Sequence, residues 1–132
     1  MSGDLLDTSI LIAPDPAVLS SLPASAAISV ITLGELRAGV LLARDSVVEA
    51  ARRARLTAVQ AAFAPLLVDE PVAERYGDVL AVARSQRRTA KATDLLIVAT
   101  AAAHGRTLHT LDERQAELAR AAGIPVHAIH AI

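Results

Sequence analysis

The sequence predicts an α/β fold whose parallel sheet is covered by helices on both faces. Three observations carry that expectation. Short apolar runs of strand length alternate with longer stretches of helical periodicity, and strands separated by helices pair in parallel. One of those stretches, Ala92 to Gly105, has nothing charged from Leu95 to Ala103, which marks a central helix buried on every side. Hydrophobic residues make up 53% of the 132-residue chain and its mean hydropathy is +0.43, enough apolar side chain for a sizeable core. That length fits a single domain, residues 1–132, with no internal repeat, low-complexity tract or linker to divide it.

Each element follows from its local pattern. Asp4-Leu5-Leu6-Asp7 is an apolar run ending in an acid, read as the first strand, with a turn at Thr8-Ser9 and a short helix at Ile10-Leu11-Ile12. Pro14 and Pro16 punctuate a loop, Ala17 to Leu22 is expected to form a small helix before Pro23, and Ser25 to Val30 is a second strand. Thr32 and Glu35 stand in capping-box spacing and start a helix through Ala43, on which Leu33, Leu36, Val40 and Leu41 recur along one face. Asp45 or Ser46 caps the next helix, which runs to Phe63 and carries Arg52, Arg53 and Arg55.

Pro65 to Val68 is a third strand. Asp69-Glu70-Pro71 opens a long helix to Arg88, acidic at its start and basic at its end as the helix dipole favours. After the central helix and its stop at Gly105, Thr107 to Leu111 is a fourth strand. Asp112 to Ala122 is then an amphipathic helix stopped by Gly123, and Pro125 to Ile129 a fifth strand.

Composition excludes several function classes. Aromatic residues are only 2%, so there is no stacking platform of the kind single-strand readers use. Cysteine is absent, which excludes a disulfide framework and thiolate zinc sites. The N-terminus lacks a basic region, its apolar stretch is broken by Asp7 and Pro14, and no run is long enough to span a bilayer, so the expected compartment is the cytoplasm. A net charge of −1 and a pI near 6.4 do not advertise a polyanion partner for the molecule as a whole.

Four acids carry the chemistry. Asp7 ends the first strand, Glu35 sits in the first turn after the second, Asp94 opens the central helix and Asp112 follows the fourth strand. In open parallel sheets the ligand crevice lies beyond the carboxyl ends of the strands, so the four are expected in one pocket. Taken singly each has a plainer explanation: a turn aspartate at Asp7, the capping box at Glu35, helix capping by Thr93 or Asp94, and a cap at Asp112. Taken together they need a counter-charge, because two carboxylates about 4 Å apart repel by about 4 kcal/mol at an effective dielectric of about 20. An oxygen-only donor set without cysteine suits Mg²⁺ or Mn²⁺ better than Zn²⁺. Such an ion polarises a phosphoryl oxygen and acidifies a bound water, which is nuclease chemistry. His104, His109, His127 and His130 show no ligand spacing and are read as structural or surface residues.

Four segments, in this order and spacing, resemble the PIN-domain ribonucleases, and specifically the VapC-type toxins of bacterial toxin–antitoxin pairs. They are Leu5-Leu6-Asp7-Thr8-Ser9, Thr32-Leu33-Gly34-Glu35-Leu36-Arg37-Ala38-Gly39, Thr93-Asp94-Leu95-Leu96-Ile97-Val98-Ala99-Thr100-Ala101 and Leu108-His109-Thr110-Leu111-Asp112. The resemblance covers nearly the whole chain. It implies a three-layer α/β/α sandwich on a central, mainly parallel sheet, and Mg²⁺- or Mn²⁺-dependent endonucleolytic cleavage of RNA. It implies further that Asp7, Glu35 and Asp94 bind the catalytic ion, that Asp112 completes the acidic pocket, and that Thr8, Ser9 and Thr110 orient ligands or water. The partners it implies are an RNA substrate, a cognate antitoxin protein and a second copy of the chain in a homodimer. The chain departs from the pattern beyond the fourth strand, where relatives often carry an acid or histidine and then an aromatic and this chain has Gln115-Ala116.

Arg84, Arg87, Arg88 and Lys91 cluster just upstream of Asp94, read both as a solvated basic helix end and as a phosphate-binding rim. Arg37 is a further rim candidate or an ion-pair partner. The stripe of Leu33, Leu36, Val40 and Leu41 is core in the first instance, and a groove for an amphipathic antitoxin helix wherever it is exposed. Two rival readings stay open at this stage. Leu5-Leu6-Asp7-Thr8 is also similar to phosphatases with a strand-end aspartate nucleophile, which carry a second acid where Ser9 stands. The other rival is a PIN-like module that binds RNA or assembles without catalysis, although such members lose acids and all four remain here.

Overall fold

Leu5 and Leu6 are neighbours on the first strand and both are wholly buried, which requires a packed layer on each face of the sheet because successive strand side chains point opposite ways. The structure, a computed structural model, describes residues 3–12, 22, 23 and 25–129. In chain order its elements are β1 (Asp4–Leu6), α1 (Thr8–Leu11), β2 (Ala27–Ser29), α2 (Val30–Leu41), α3 (Ser46–Ala62), β3 (Ala64–Leu66), α4 (Glu70–Ser85), α5 (Ala92–Ala103), β4 (Thr107–Thr110), α6 (Glu113–Ala121) and β5 (Val126–Ala128). The strands form one sheet in the order β3-β2-β1-β4-β5, and each described pair is parallel. The expected α/β/α sandwich is therefore the observed architecture.

Register decides which side chains meet on each face. Leu5 lies opposite Ala27 and Leu108, and these join Val79 and Ala83 of α4, Leu95, Ile97, Val98 and Ala101 of α5, and Leu118 and Ala119 of α6 in one core layer. Leu6 and Ile28 face the other way, into a second layer built with Leu36 and Val40 of α2 and Leu56 and Val59 of α3. At about 1.5–3 kcal/mol for each fully buried large aliphatic side chain, these two layers supply the bulk of the drive to fold. α5 is the central helix that its uncharged sequence predicts, with Ile97, Val98, Ala99 and Ala101 all at 0% exposure.

Several boundaries differ from the sequence expectation. The second strand covers Ala27–Ser29 only, and Val30 already belongs to α2. The capping box expected at Thr32 and Glu35 is absent. Ser29 is the N-cap and its hydroxyl accepts from the Ile31 N–H at 3.1 Å, so the helix begins one turn earlier and Thr32 is an interior, wholly buried residue. Helix α4 ends at Ser85, three residues before Arg88, and its cap is Asp69. Gly105 and Gly123 are the stops after α5 and α6, with φ of +59° and +77°, the left-handed backbone that glycine adopts without a Cβ clash. The small helix expected over residues 17–22 lies outside the described residues except for Leu22, as does His130. No helix among the described residues is long and apolar enough to cross a membrane.

Candidate active site

After β1 the chain builds β2 and β3 on one side, then returns to place β4 on the other side of β1. The carboxyl ends of β1 and β4 therefore flank the switch point of the sheet, where two crossovers leave in opposite directions and a crevice opens. Asp7 follows β1 there, Thr110 closes β4 and Asp112 comes two residues later.

Asp7 is 5% exposed and tightly held. Its N–H donates to the His109 carbonyl at 2.8 Å, which continues the β1–β4 ladder past the end of the strand. The hydroxyls of Ser9 and Thr110 both donate to Asp7 Oδ2, each at 2.7 Å. They are fixed in turn, since Leu111 N–H donates to Ser9 Oγ at 3.0 Å and Asp112 N–H to Thr110 Oγ1 at 3.0 Å. Asp7 occupies the N-cap position of α1 but its side chain makes no cap bond, so its carboxylate is held by the two hydroxyls and not by the helix start.

Glu35 is held from the same short helix. Thr8 Oγ1 donates to Glu35 Oε1 at 2.7 Å and lies 3.0 Å from Thr32 Oγ1, so with the Thr8 proton on Glu35 the Thr32 hydroxyl donates to Thr8. Ser29 having taken the cap, Glu35 is free of any capping duty.

Asp94 lies in the first turn of α5, half-buried, and it caps nothing: the N-cap is Lys91, without a side-chain cap bond. Its carboxyl is raised above the ordinary aspartate value, first by burial and then by the negative charges of Asp7, Glu35 and Asp112, with Lys91 pulling the other way. Three acids from other parts of the sequence thus bear electrostatically on Asp94. Asp112 does carry the cap its sequence allowed, since Oδ1 accepts from the N–H groups of Arg114 at 2.9 Å and Gln115 at 3.4 Å. It is exposed and lines the same cavity as Asp94.

That cavity, of about 680 Å³, is walled by the loop between α4 and α5 and by the start of α6. The expected basic rim divides over it: Arg88 and Lys91 line the cavity, whereas Arg84, Arg87 and Arg37 are exposed outside its lining. Arg87 instead terminates α4 in the left-handed region, φ +55°, at a cost of about 1 kcal/mol for a residue with a Cβ. Arg88 also donates to Glu117 Oε2 at 3.4 Å, linking the loop to α6. A second cavity of about 440 Å³ reaches Glu35 and Thr8 from the other side, lined also by Ile12, Leu36, Gly39, Arg52 and Arg55. The leucine stripe is not one surface: Leu36 and Val40 are buried in the core, Leu33 is partly buried against it, and only Leu41 stands out, at 64% exposure.

Arg114 and Gln115 also line the larger cavity and were not singled out by sequence reasoning. Arg114 follows an acid at a helix start and has no local signature. Gln115 has one, because it sits on the buried face of α6 beside Ala116, Leu118 and Ala119, where an amide is out of place without a partner. Among the histidines, His109 is buried, its Nε2 2.6 Å from Asp4 Oδ1, and its ring lies 5.0 Å from that of His127, away from the four acids.

Oxygen donors alone suit a hard divalent cation, and the carboxyl of Asp94 is raised first by burial and then by the neighbouring acids. Among the described residues no three His, Cys, Asp or Glu side chains stand close enough together to ring an ion ready-made. The donor set suits Mg²⁺ or Mn²⁺ in kind.

The PIN domain profile matches residues 5–121. The chain is 43% identical over 93 residues to Ribonuclease VapC4 of Mycobacterium tuberculosis, covering 69% of each protein. It is 34% identical over 129 residues to Ribonuclease VapC5 of the same organism, covering 95% of this chain and 94% of that one. The fold superimposes with a TM-score of 0.85 and 31% identity on the crystal structure of VapBC-5, a member of the VapBC family of toxin–antitoxin systems from Mycobacterium tuberculosis, over 98% of this chain and 100% of that one.

Proposed function

Since the chain belongs to the PIN domain family, and within it to the VapC-type proteins, we propose that it is a metal-dependent endoribonuclease and the toxin of a toxin–antitoxin pair. The observation that carries this reading is the field at Asp94, where carboxylates from three other places in the sequence bear on one half-buried acid. A stable fold gains nothing from such crowding, and a phosphodiesterase needs it.

Asp7, Glu35 and Asp94 hold Mg²⁺ or Mn²⁺, and Asp112 completes the acidic pocket. When bound, the ion activates water and neutralises charge on a phosphodiester. The chain's own residues do the positioning. Ser9 and Thr110 orient Asp7, and Thr8, backed by Thr32, orients Glu35. Lys91, Arg88 and Arg114 neutralise RNA phosphates next to the scissile one, a role for which their place on the cavity wall beside Asp94 and Asp112 is suited. The cavity beside Glu35, mixing Ile12 and Leu36 with Arg52 and Arg55, offers an amphipathic antitoxin segment both apolar contact and charge. The toxin acts as a homodimer.

The test is to incubate the purified chain, free of any partner, with total RNA and Mg²⁺ or Mn²⁺, beside an Asp94→Asn variant shown to be folded by circular dichroism. Discrete cuts are expected from the wild type and are expected to vanish in the variant and on chelation. Equal cleavage by both proteins would overturn the assignment.

A further inference from the structure

Gln115 is 4% exposed, yet it is a polar side chain among the acids and cations that wall the larger cavity. Burying an amide is costly unless it is hydrogen-bonded, so the destination of its bond is informative. Nε2 donates to the main-chain oxygen of Asp94 at 3.0 Å, across 21 residues of sequence, on the first turn of α5. The backbone N–H of the same residue donates to Asp112 Oδ1 at 3.4 Å. One residue is thus bonded to both acids of this side of the pocket.

The carbonyl of Asp94 has its ordinary i+4 partner within the helix, so the bond from Gln115 is not needed to satisfy it. Its effect is lateral: it ties the start of α5 to the start of α6. No other described hydrogen bond does so at that turn, because Lys91 makes no side-chain cap bond and the hydroxyls that hold Asp7 and Glu35 have no counterpart at Asp94 among the described hydrogen bonds. Building on the metal-dependent reading above, we propose that Gln115 is a positioning residue that sets the separation of Asp94 and Asp112 and thereby the affinity of the pocket for its divalent ion. Partners one bond removed from a metal ligand typically govern affinity by about 10–100-fold.

Mn²⁺ binding to the purified full-length chain, measured by titration calorimetry, reads this directly. Gln115→Met keeps the volume and loses the donor, Gln115→Asn keeps the amide and falls a methylene short, and Gln60→Met on the exposed face of α3 is the control. Both variants at position 115 are expected to bind Mn²⁺ at least about tenfold more weakly, with melting temperature and the KM for RNA close to wild type, while the control binds as wild type does. Unchanged Mn²⁺ affinity in either folded variant would overturn the proposal and leave the nuclease reading intact. Failure of the wild type itself to bind Mn²⁺ and to cut RNA would overturn both. If only one variant folds, that one decides; if neither folds, Gln115 is a stability residue and the proposal falls.

Discussion

The four candidate acids are held by different means. Asp7 and Glu35 are gripped through their carboxylate oxygens by hydroxyls of Ser9, Thr110 and Thr8, at 2.7 Å each. Asp94 is placed by its backbone at the start of α5, whereas Asp112 is held through Oδ1 by the N–H groups of its own helix start, and both line the larger cavity. Donors fixed before a ligand arrives cost no reorganisation when it binds, whereas an acid placed only by its backbone, as Asp94 is, keeps rotamer freedom that binding must quench. On the metal-dependent reading proposed above, Asp7 and Glu35 would form a preformed seat and Asp94 would adjust as ion and substrate bind.

The largest effect that sharpens this contrast is on cleavage. Asp7→Asn is expected to lower the rate by more than about 100-fold, since removing a ligand exceeds the loss of its supporting partner. Asp112→Asn keeps a capping oxygen and removes only a charge, so about a tenfold loss is expected. Single-turnover assays at saturating Mn²⁺ rank the two, and equal losses would mean that the two sides are equally essential.

Thr110→Val comes next. The residue is wholly buried, and the change removes a donor from Asp7 and the acceptor of the Asp112 N–H, for a destabilisation of about 1–3 kcal/mol. A loss of cleavage of about 10–100-fold should accompany it. Denaturant melts and cleavage rates measured together check whether the seat is as rigid as its bonds suggest.

Asp94 differs in sign. Its folded-state carboxyl titrates above the unfolded value of 3.8, so the unfolded chain releases the proton first and native stability falls as pH rises from 3.8 through the folded value, levelling off beyond it. Asp94→Asn is therefore expected to melt at a higher temperature than wild type at neutral pH, with the gap closing below 3.8. Added Mg²⁺ should raise the melting temperature of wild type and not of the variant. A variant less stable than wild type at neutral pH would show that the acids do not strain the fold.

The smallest effect belongs to the cavity wall. Arg114→Ala is expected to weaken RNA binding evenly across sequences and to reduce the slope of log affinity against log salt by about 0.7 for a single-stranded target. An unchanged slope would remove Arg114 from the phosphate path.

The order of strands and helices was legible because it rests on local periodicity, and an apolar stretch such as Leu95 to Ala103 is buried wherever it is placed. The four candidate acids were chosen for a related reason: Asp7, Glu35, Asp94 and Asp112 sit next to strand ends or helix starts, and a parallel sheet brings those ends to one edge, where the charges of the other three bear on Asp94. Local pattern failed where two residues qualified for one task. Ser29 and Thr32 are both good caps, and only the backbone path chose Ser29 and so freed Glu35 for the pocket. Spacing put the leucine stripe on one side of α2 and in the core, as Leu36 and Val40 are, but could not say that Leu41 is bare.

The sequence by itself determined the α/β class, the run of elements and an all-oxygen donor set without cysteine. Tertiary structure alone decided the strand order, the hydroxyl grip on Asp7, the tie from Gln115 to Asp94 and the division of the basic residues between cavity wall and outer surface. The physical reason is range. Periodicity and capping act over a turn or two, whereas Thr110 reaches Asp7 across 103 residues only because β4 pairs beside β1 in the register that sets Leu6 against His109.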